Sequence, residues 1–203
     1  MRIFRKARPP GSAPGATSGR QGPGPVSSED KLILVNANDE VVGFQSKRSC
    51  HDGDGLLHRG FSVYLFDAER RLLIQKRSRY KRLWPLYWSN SCCSHPRWGE
   101  ETDAAVRRRI PEELGLSAEL RRVCAFEYRA AFGEVGSEHE FCAVYVGAIR
   151  GRIRPQAQEV ADWRFAEAEE LDQCLALDDS LYTPWFRIGW RRLREEHWHE
   201  TLI

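Results

Sequence analysis

From Lys31 onward the apolar residues come in short runs closed by turn residues, which restricts the chain to a sheet-based fold with few helices. Lys31 to Asn36 (KLILVN) and Val41 to Gln45 flank Asn38-Asp39 and read as a hairpin. Phe61 to Phe66 and Leu72 to Lys76 bracket a second turn, Asp67-Ala68-Glu69-Arg70. The period then changes. From Thr102 to Leu114, Ala104, Ala105, Ile110 and Leu114 share one face opposite an arginine-rich one, the pattern of an amphipathic helix. Gly115 stands where a left-handed C-cap glycine belongs. An interior Pro removes a hydrogen bond and costs about 3 kcal/mol, so Pro111 predicts a distorted last turn. Strands are expected at about 119–129 and 139–149 and at Trp163 to Ala166, and helices at Ala168 to Ala176 and Tyr182 to Glu196. Strands that precede and interleave with a few helices make an α/β or α+β sandwich. No stretch nears the ~18 apolar residues that span a bilayer. At ~100–200 residues per domain, this length suits a single one.

Charge divides the chain. Residues 1–28 hold five basic groups (Arg2, Arg5, Lys6, Arg8, Arg20), no acid, and 14 Gly, Pro or Ser. Such a segment buries too little apolar surface to offset its ordering entropy, so residues 1–28 are expected to be a disordered extension and residues 29–203 the folded domain. The formal charge of +2 therefore hides a body of 26 basic and 29 acidic groups, or −3, which argues against the basic stripe of a nucleic-acid binder. Six Cys in a chain with no apolar signal segment, two of them adjacent (Cys92 and Cys93), suit reduced thiols in the cytoplasm.

The densest chemistry lies in WSNSCCSHPRWGEETDAAVRRRIPEELG, Trp88 to Gly115. Cys93 and His95 stand two apart, ahead of a helix that ends in Glu112-Glu113. His51 and His58 bracket Asp52-Gly53-Asp54-Gly55, a loop able to turn both imidazoles inward. Glu138 and Glu140 share one face of a strand, with His139 on the other. Three His and two Glu would form a mixed nitrogen–oxygen site suited to Mn²⁺ or Zn²⁺, and less clearly to Mg²⁺ or Fe²⁺. The bland alternative for each residue alone is a surface His or a solvated carboxylate; only their coincidence in one small domain argues for a site. Lys47, Arg77, Arg79, Lys81, Arg82 and Arg107 to Arg109 are ordinary surface charge by default. Beside carboxylates they also suit a diphosphate bridged by Mg²⁺.

Together these fragments resemble the type I isopentenyl-diphosphate isomerases, a branch of the Nudix superfamily, over roughly residues 31 to 190. The carriers are S-N-S-C-C-S-H-P (89–96), H-x6-H (51–58), E-x-E (138–140), R-R-x-x-x-E-L-G (108–115), E-Y-R-A (127–130) and Y-x-P-W (182–185). Residues 94–116 also resemble the Nudix box, G-x5-E-x7-R-E-U-x-E-E-x-G-U, through Glu100, Arg108, Ile110, Glu112, Glu113, Gly115 and Leu116. Ser94 replaces its first Gly and Arg109 its Arg-Glu carboxylate, which removes metal-binding and base capacity that a hydrolase needs.

The resemblance implies a Nudix-like α/β/α sandwich with a mixed central sheet, and the interconversion of isopentenyl and dimethylallyl diphosphate in isoprenoid biosynthesis. It implies Cys93 as catalytic thiol, Glu140 as partner acid/base and metal ligand, and Tyr128 in support of protonation. It implies His51, His58, His95, Glu138 and Glu140 as the Mn²⁺ or Zn²⁺ site, and Glu113 with the Cys93 carbonyl as the seat of a substrate-borne Mg²⁺. Lys47, Arg77, Lys81 and Arg109 are implied on the diphosphate, and Trp185 facing a cationic intermediate. Cys92 should point away from Cys93 if the segment is extended, and be dispensable. The partner expected is a small isoprenoid diphosphate bound by a cytoplasmic monomer, without nucleic acid or membrane span. The alternatives are a Nudix-type diphosphate hydrolase, and a non-catalytic metal- or RNA-binding module.

Overall fold

A computed structural model of the chain describes residues 31–201. The extension expected at 1–28, and its boundary with the domain, lie outside the described residues.

The first hairpin forms as read: β1 (Lys31–Val35) pairs antiparallel with β2 (Val41–Ser46), and Asp39 takes the left-handed conformation the turn requires. A single helical turn, α1 (Lys47–His51), follows, with the Ser46 hydroxyl accepting from the Ser49 N–H at 3.1 Å. The axis of the sheet is β3 (His58–Phe66), buried along nearly all its length. On one edge it pairs in parallel with β8 (Gly136–Arg150), from His58 opposite Glu140 to Phe66 opposite Ala148. Its other edge is shared by three antiparallel partners: β1 at His58, β6 (Cys92–Ser94) at Phe61 to Val63, and β4 (Leu72–Arg77) at Phe66. The turn at 67–70 therefore closes only one residue pair before β4 leaves to meet β5 (Trp88–Ser89) and β9 (Val160–Ala166). The strands expected at 119–129 and 139–149 are longer: β7 (Ser117–Phe132) and β8 form one hairpin paired over both lengths.

Strand alternation sorts the core into two layers. Phe61, Val63 and Leu65 turn to one face, under Val106, Ile110 and Leu114 of α2 (Thr102–Leu114). Tyr64 and Phe66 turn to the other, under Leu171 of α3 (Ala168–Leu177) and Phe186, Trp190 and Leu193 of α4 (Pro184–Glu196). Burying each such side chain contributes about 1.5–3 kcal/mol, so both layers are held by the same sheet. The result is an α/β/α sandwich on a mixed sheet, as expected. Helix α2 runs unbroken through Pro111 and ends on Gly115 at φ 65°, whose N–H donates to the Pro111 carbonyl at 3.0 Å. Pro111 lies on the exposed side and does not end the helix. Among the described residues, no helix is long and apolar enough to cross a membrane.

Candidate active site

Three imidazoles meet at one end of β3. His51 closes α1 and its Nδ1 lies 2.6 Å from the Lys47 carbonyl; His58 opens β3 and its Nδ1 lies 2.7 Å from the Leu56 carbonyl. A carbonyl only accepts, so both rings carry their proton on Nδ1 and present a bare Nε2. His95 follows β6 and completes a triangle of ring centroids 4.8 to 5.2 Å apart. Strand period brings Glu138 and Glu140 of β8 to the same face. His51 Nε2 lies 2.8 Å from Glu138 Oε2, and His95 Nε2 lies 2.7 Å from Glu140 Oε1. His58 Nε2 is 3.9 Å from Glu140, fully buried, and without a hydrogen-bond partner among the described residues.

The ligand atoms of His51, His58, His95 and Glu138 all lie within 4.8 Å of one another. An orphaned ring nitrogen at full burial is costly unless a cation takes its lone pair, and the Nδ1–carbonyl bonds are the outer support such ligands use. The donor set fits a divalent metal ion. Burial, and then the neighbouring rings, hold His58 neutral down to about 4 and His95 well below the ordinary histidine range. Burial, and then the charge of Glu138, push Glu140 well above the carboxylate range. Burial acts upward on Glu138 too, but its close contact with His51 brings it below its usual value.

Cys93 and Glu140 stand on the two strands that flank β3. Cys93 lies opposite Ser62 on β6, and Glu140 opposite His58 on β8. The extended segment points the two thiols apart, as expected: Cys92 is buried in the α2 layer, while Cys93 is half-buried against the α4 layer. Burial pushes the Cys93 thiol up and the Arg77 guanidinium draws it back. Tyr128 of β7, directly opposite Glu140 in the hairpin, donates its hydroxyl to Glu140 Oε2 at 3.0 Å. Trp185, in the first turn of α4, packs edge-on to Trp84 at 5.3 Å and lies 6.2 Å from Tyr128.

The basic residues do not all behave alike. Lys81 pairs with Glu159; Arg109 reaches Glu159 at 3.0 Å and holds Glu113 through its guanidinium. Lys47 lies in the same charged neighbourhood. Arg77 is different: it is buried, donates to the Trp84 and Leu83 carbonyls at 3.1 and 2.9 Å, and aims Nη1 at Cys93 Sγ, 3.8 Å away. Its guanidinium also lies 5.0 Å over the Trp185 ring.

Three residues escaped the sequence reading. Glu159 bridges Lys81 and Arg109, and no local pattern marks it. Gly60, two residues past His58 on the same face of β3, has its Cβ position filled by the Glu140 carboxyl group; a glycine inside a strand run was the available signal. Ser89 contacts Cys93, four residues on, but its other partners, Thr183 and Trp185, lie 94 and 96 residues away.

The NUDIX domain matches residues 56–186. An isopentenyl-diphosphate Delta-isomerase of Serratia proteamaculans is 43% identical over 78% of this chain and 88% of its own length. The chain belongs to the NUDIX family, in its isopentenyl-diphosphate Delta-isomerase branch. Family members of the same name from Burkholderia multivorans and Nocardia farcinica are 44% and 41% identical over 78% and 75% of this chain, and 89% and 87% of their own. The NUDIX fold is also shared with solved structures of low sequence identity. DR0079 of Deinococcus radiodurans superposes with a TM-score of 0.65 at 22% identity, covering 79% of this chain and 98% of its own. The MutT protein of Methanosarcina mazei does so with 0.55 at 15%, covering 69% and 94%.

Proposed function

We propose that this chain interconverts isopentenyl and dimethylallyl diphosphate by protonation and deprotonation, in isoprenoid biosynthesis. The observation that carries this reading is the placement of Cys93 and Glu140 on the two strands flanking β3, beside an aromatic wall. The named relatives act as independent support.

The reaction needs an acid and a base at the two carbons that flank the carbon carrying the positive charge. Glu140, with Tyr128 bonded to it, delivers a proton to the terminal alkene carbon. The π pair forms the new C–H bond and leaves a tertiary carbocation. Cys93, acting as the thiolate that the Arg77 guanidinium faces, takes a proton from the methylene on the other side of the cation and becomes the thiol, and that C–H pair becomes the new double bond. Nothing is gained or lost overall, and the steps run in either direction. Trp185 offers the cation an aromatic face, worth about 1–2 kcal/mol when desolvated. Trp84, Tyr128 and Phe132 around it exclude water, which would trap the cation as an alcohol.

His51, His58, His95, Glu138 and Glu140 would hold Mn²⁺ or Zn²⁺; Glu113 and the Cys93 carbonyl would hold Mg²⁺ arriving with the diphosphate. When bound, these cations lower the proton affinity of Glu140 and Tyr128 and neutralise phosphate charge. Lys47, Lys81 and Arg109 meet the diphosphate oxygens once Glu159 yields them. Arg77 serves the thiol side and reaches a diphosphate only through Nη1. In this reading the enzyme is a cytoplasmic monomer, residues 1–28 are an extension without part in the chemistry, and residues 29–203 are the enzymatic domain.

Purified protein with isopentenyl diphosphate and Mg²⁺ should yield dimethylallyl diphosphate and no free phosphate. Phosphate release without isomer would replace this reading with a diphosphate hydrolase.

A further inference from the structure

Ser89 is fully buried and lies between the proposed catalytic thiol and the indole that faces the cation. Its hydrogen bonds can be assigned one by one. Asn90 donates its amide nitrogen to the Cys92 carbonyl at 2.7 Å and to the Val63 carbonyl at 3.2 Å. Both amide hydrogens are thereby committed, so the atom Asn90 turns toward Ser89 is Oδ1, an acceptor. Ser89 must donate to it, at 3.0 Å. Having one proton, Ser89 then accepts from its other two partners: the Trp185 indole N–H at 3.0 Å and the Thr183 hydroxyl at 2.9 Å. One donor and two lone pairs are all in use. Cys93 Sγ rests against this saturated oxygen at 3.9 Å.

A saturated hydroxyl has no free site through which to relay a proton to or from the thiol. What it can do is hold geometry. On its other side the same pair, Trp185 and Cys93, is gripped by Arg77, which lies over the indole ring and aims Nη1 at the sulfur. We propose that Ser89, locked by Asn90 and Thr183, is a positioning residue that fixes the Cys93 thiol and the Trp185 ring relative to each other, so that the carbocation is deprotonated before it can rotate. The inference rests on the isomerase reading above and adds to it a residue and a role.

The role has a stereochemical signature. In D₂O the cation carries one labelled and one unlabelled methyl group on the same carbon. If Cys93 acts before rotation about the adjoining bond, the label stays in one methyl position of the product. Ser89→Ala removes the shared partner of the indole and Thr183. It is expected to lower kcat about ten- to a hundredfold, the scale of a misplacement near 1 Å, with KM within about twofold. Label should then appear in both methyl positions. Ser89→Thr, which keeps the hydroxyl, should restore rate and confinement of the label.

Should Ser89→Ala not accumulate as folded protein, Thr183→Val removes one donor at constant shape. Thr183 makes no side-chain cap to α4 that this change would lose, and the same scrambling is expected with a smaller fall in kcat. Wild-type kcat with confined label in these variants overturns the inference, as does a loss of rate with label still confined. An inactive wild-type protein in the same assay would instead overturn the isomerase reading.

Discussion

Gly60 shows how narrowly single residues set this site. A methyl group at that position would occupy the space of the Glu140 carboxyl. The backbone there is ordinary strand, so the constraint is volume, not conformation. Gly60→Ala is expected to keep the fold and lose about a hundredfold in kcat, because a proton-transfer group displaced by an ångström or so loses its alignment. Measuring kcat beside the thermal midpoint separates this from general damage; unchanged kcat would show that Glu140 has other room. The adjacent cysteines form a second test. Cys93→Ala should cost at least about a hundredfold, the usual contribution of a proton-transfer group. Cys92→Ala should keep most activity and cost only about 1 kcal/mol of stability from its packed position. Equal loss in both would sink the assignment. At this scale much could be read in advance. Period two put Glu138 and Glu140 on one face, and the loop 52–55 turned His51 and His58 together. The roles of Ser89 and Glu159 were invisible, because Thr183 and Trp185, and Lys81 and Arg109, are distant from them in sequence and meet them only through the folded sheet.

Among the elements, β6 is one that periodicity could not announce. Three residues are too few to show a period, yet β6 seats Cys93 beside β3 and turns Cys92 to the opposite core. Helix α2, by contrast, was legible from its apolar spacing and its glycine cap. That cap carries its own prediction. Gly115 lies at φ 65°, and an added Cβ would meet the Arg154 backbone. Gly115→Ala should therefore destabilise the protein by at least about 1–2 kcal/mol, the cost of the left-handed conformation alone. Denaturant unfolding checks it; a neutral result would mean that the 115–116 turn and the 154 segment relax freely. Pro111, expected to distort the helix, is carried on its exposed side without interrupting it.

For the molecule as a whole, the site is bought at a cost in acid stability. His58 is fully buried and held neutral to about 4, whereas in the unfolded chain it takes a proton near 6.5. Its contribution is present above about 6.5 and is lost as pH falls toward 4, because the unfolded state binds the proton that the folded state refuses. The shift corresponds to about 3 kcal/mol. Protein treated with chelator should lose roughly that much stability between pH 7 and pH 4.5, and His58→Gln should flatten the slope. An equal slope in both would place the acid sensitivity elsewhere. The charge division seen at the start also gains meaning here. The acids of the body include the buried Glu138 and Glu140 beside the three imidazoles, and Glu113 and Glu159 pair with Lys81 and Arg109.

The central claim is proton exchange between solvent and substrate at Cys93 and Glu140, and solvent deuterium incorporation tests it most directly. In D₂O with Mg²⁺, the wild-type chain should convert isopentenyl diphosphate to dimethylallyl diphosphate carrying deuterium in a methyl group, while Cys93→Ala gives essentially none. Isomer formed without deuterium, or labelled product at the wild-type rate from Cys93→Ala, would contradict it.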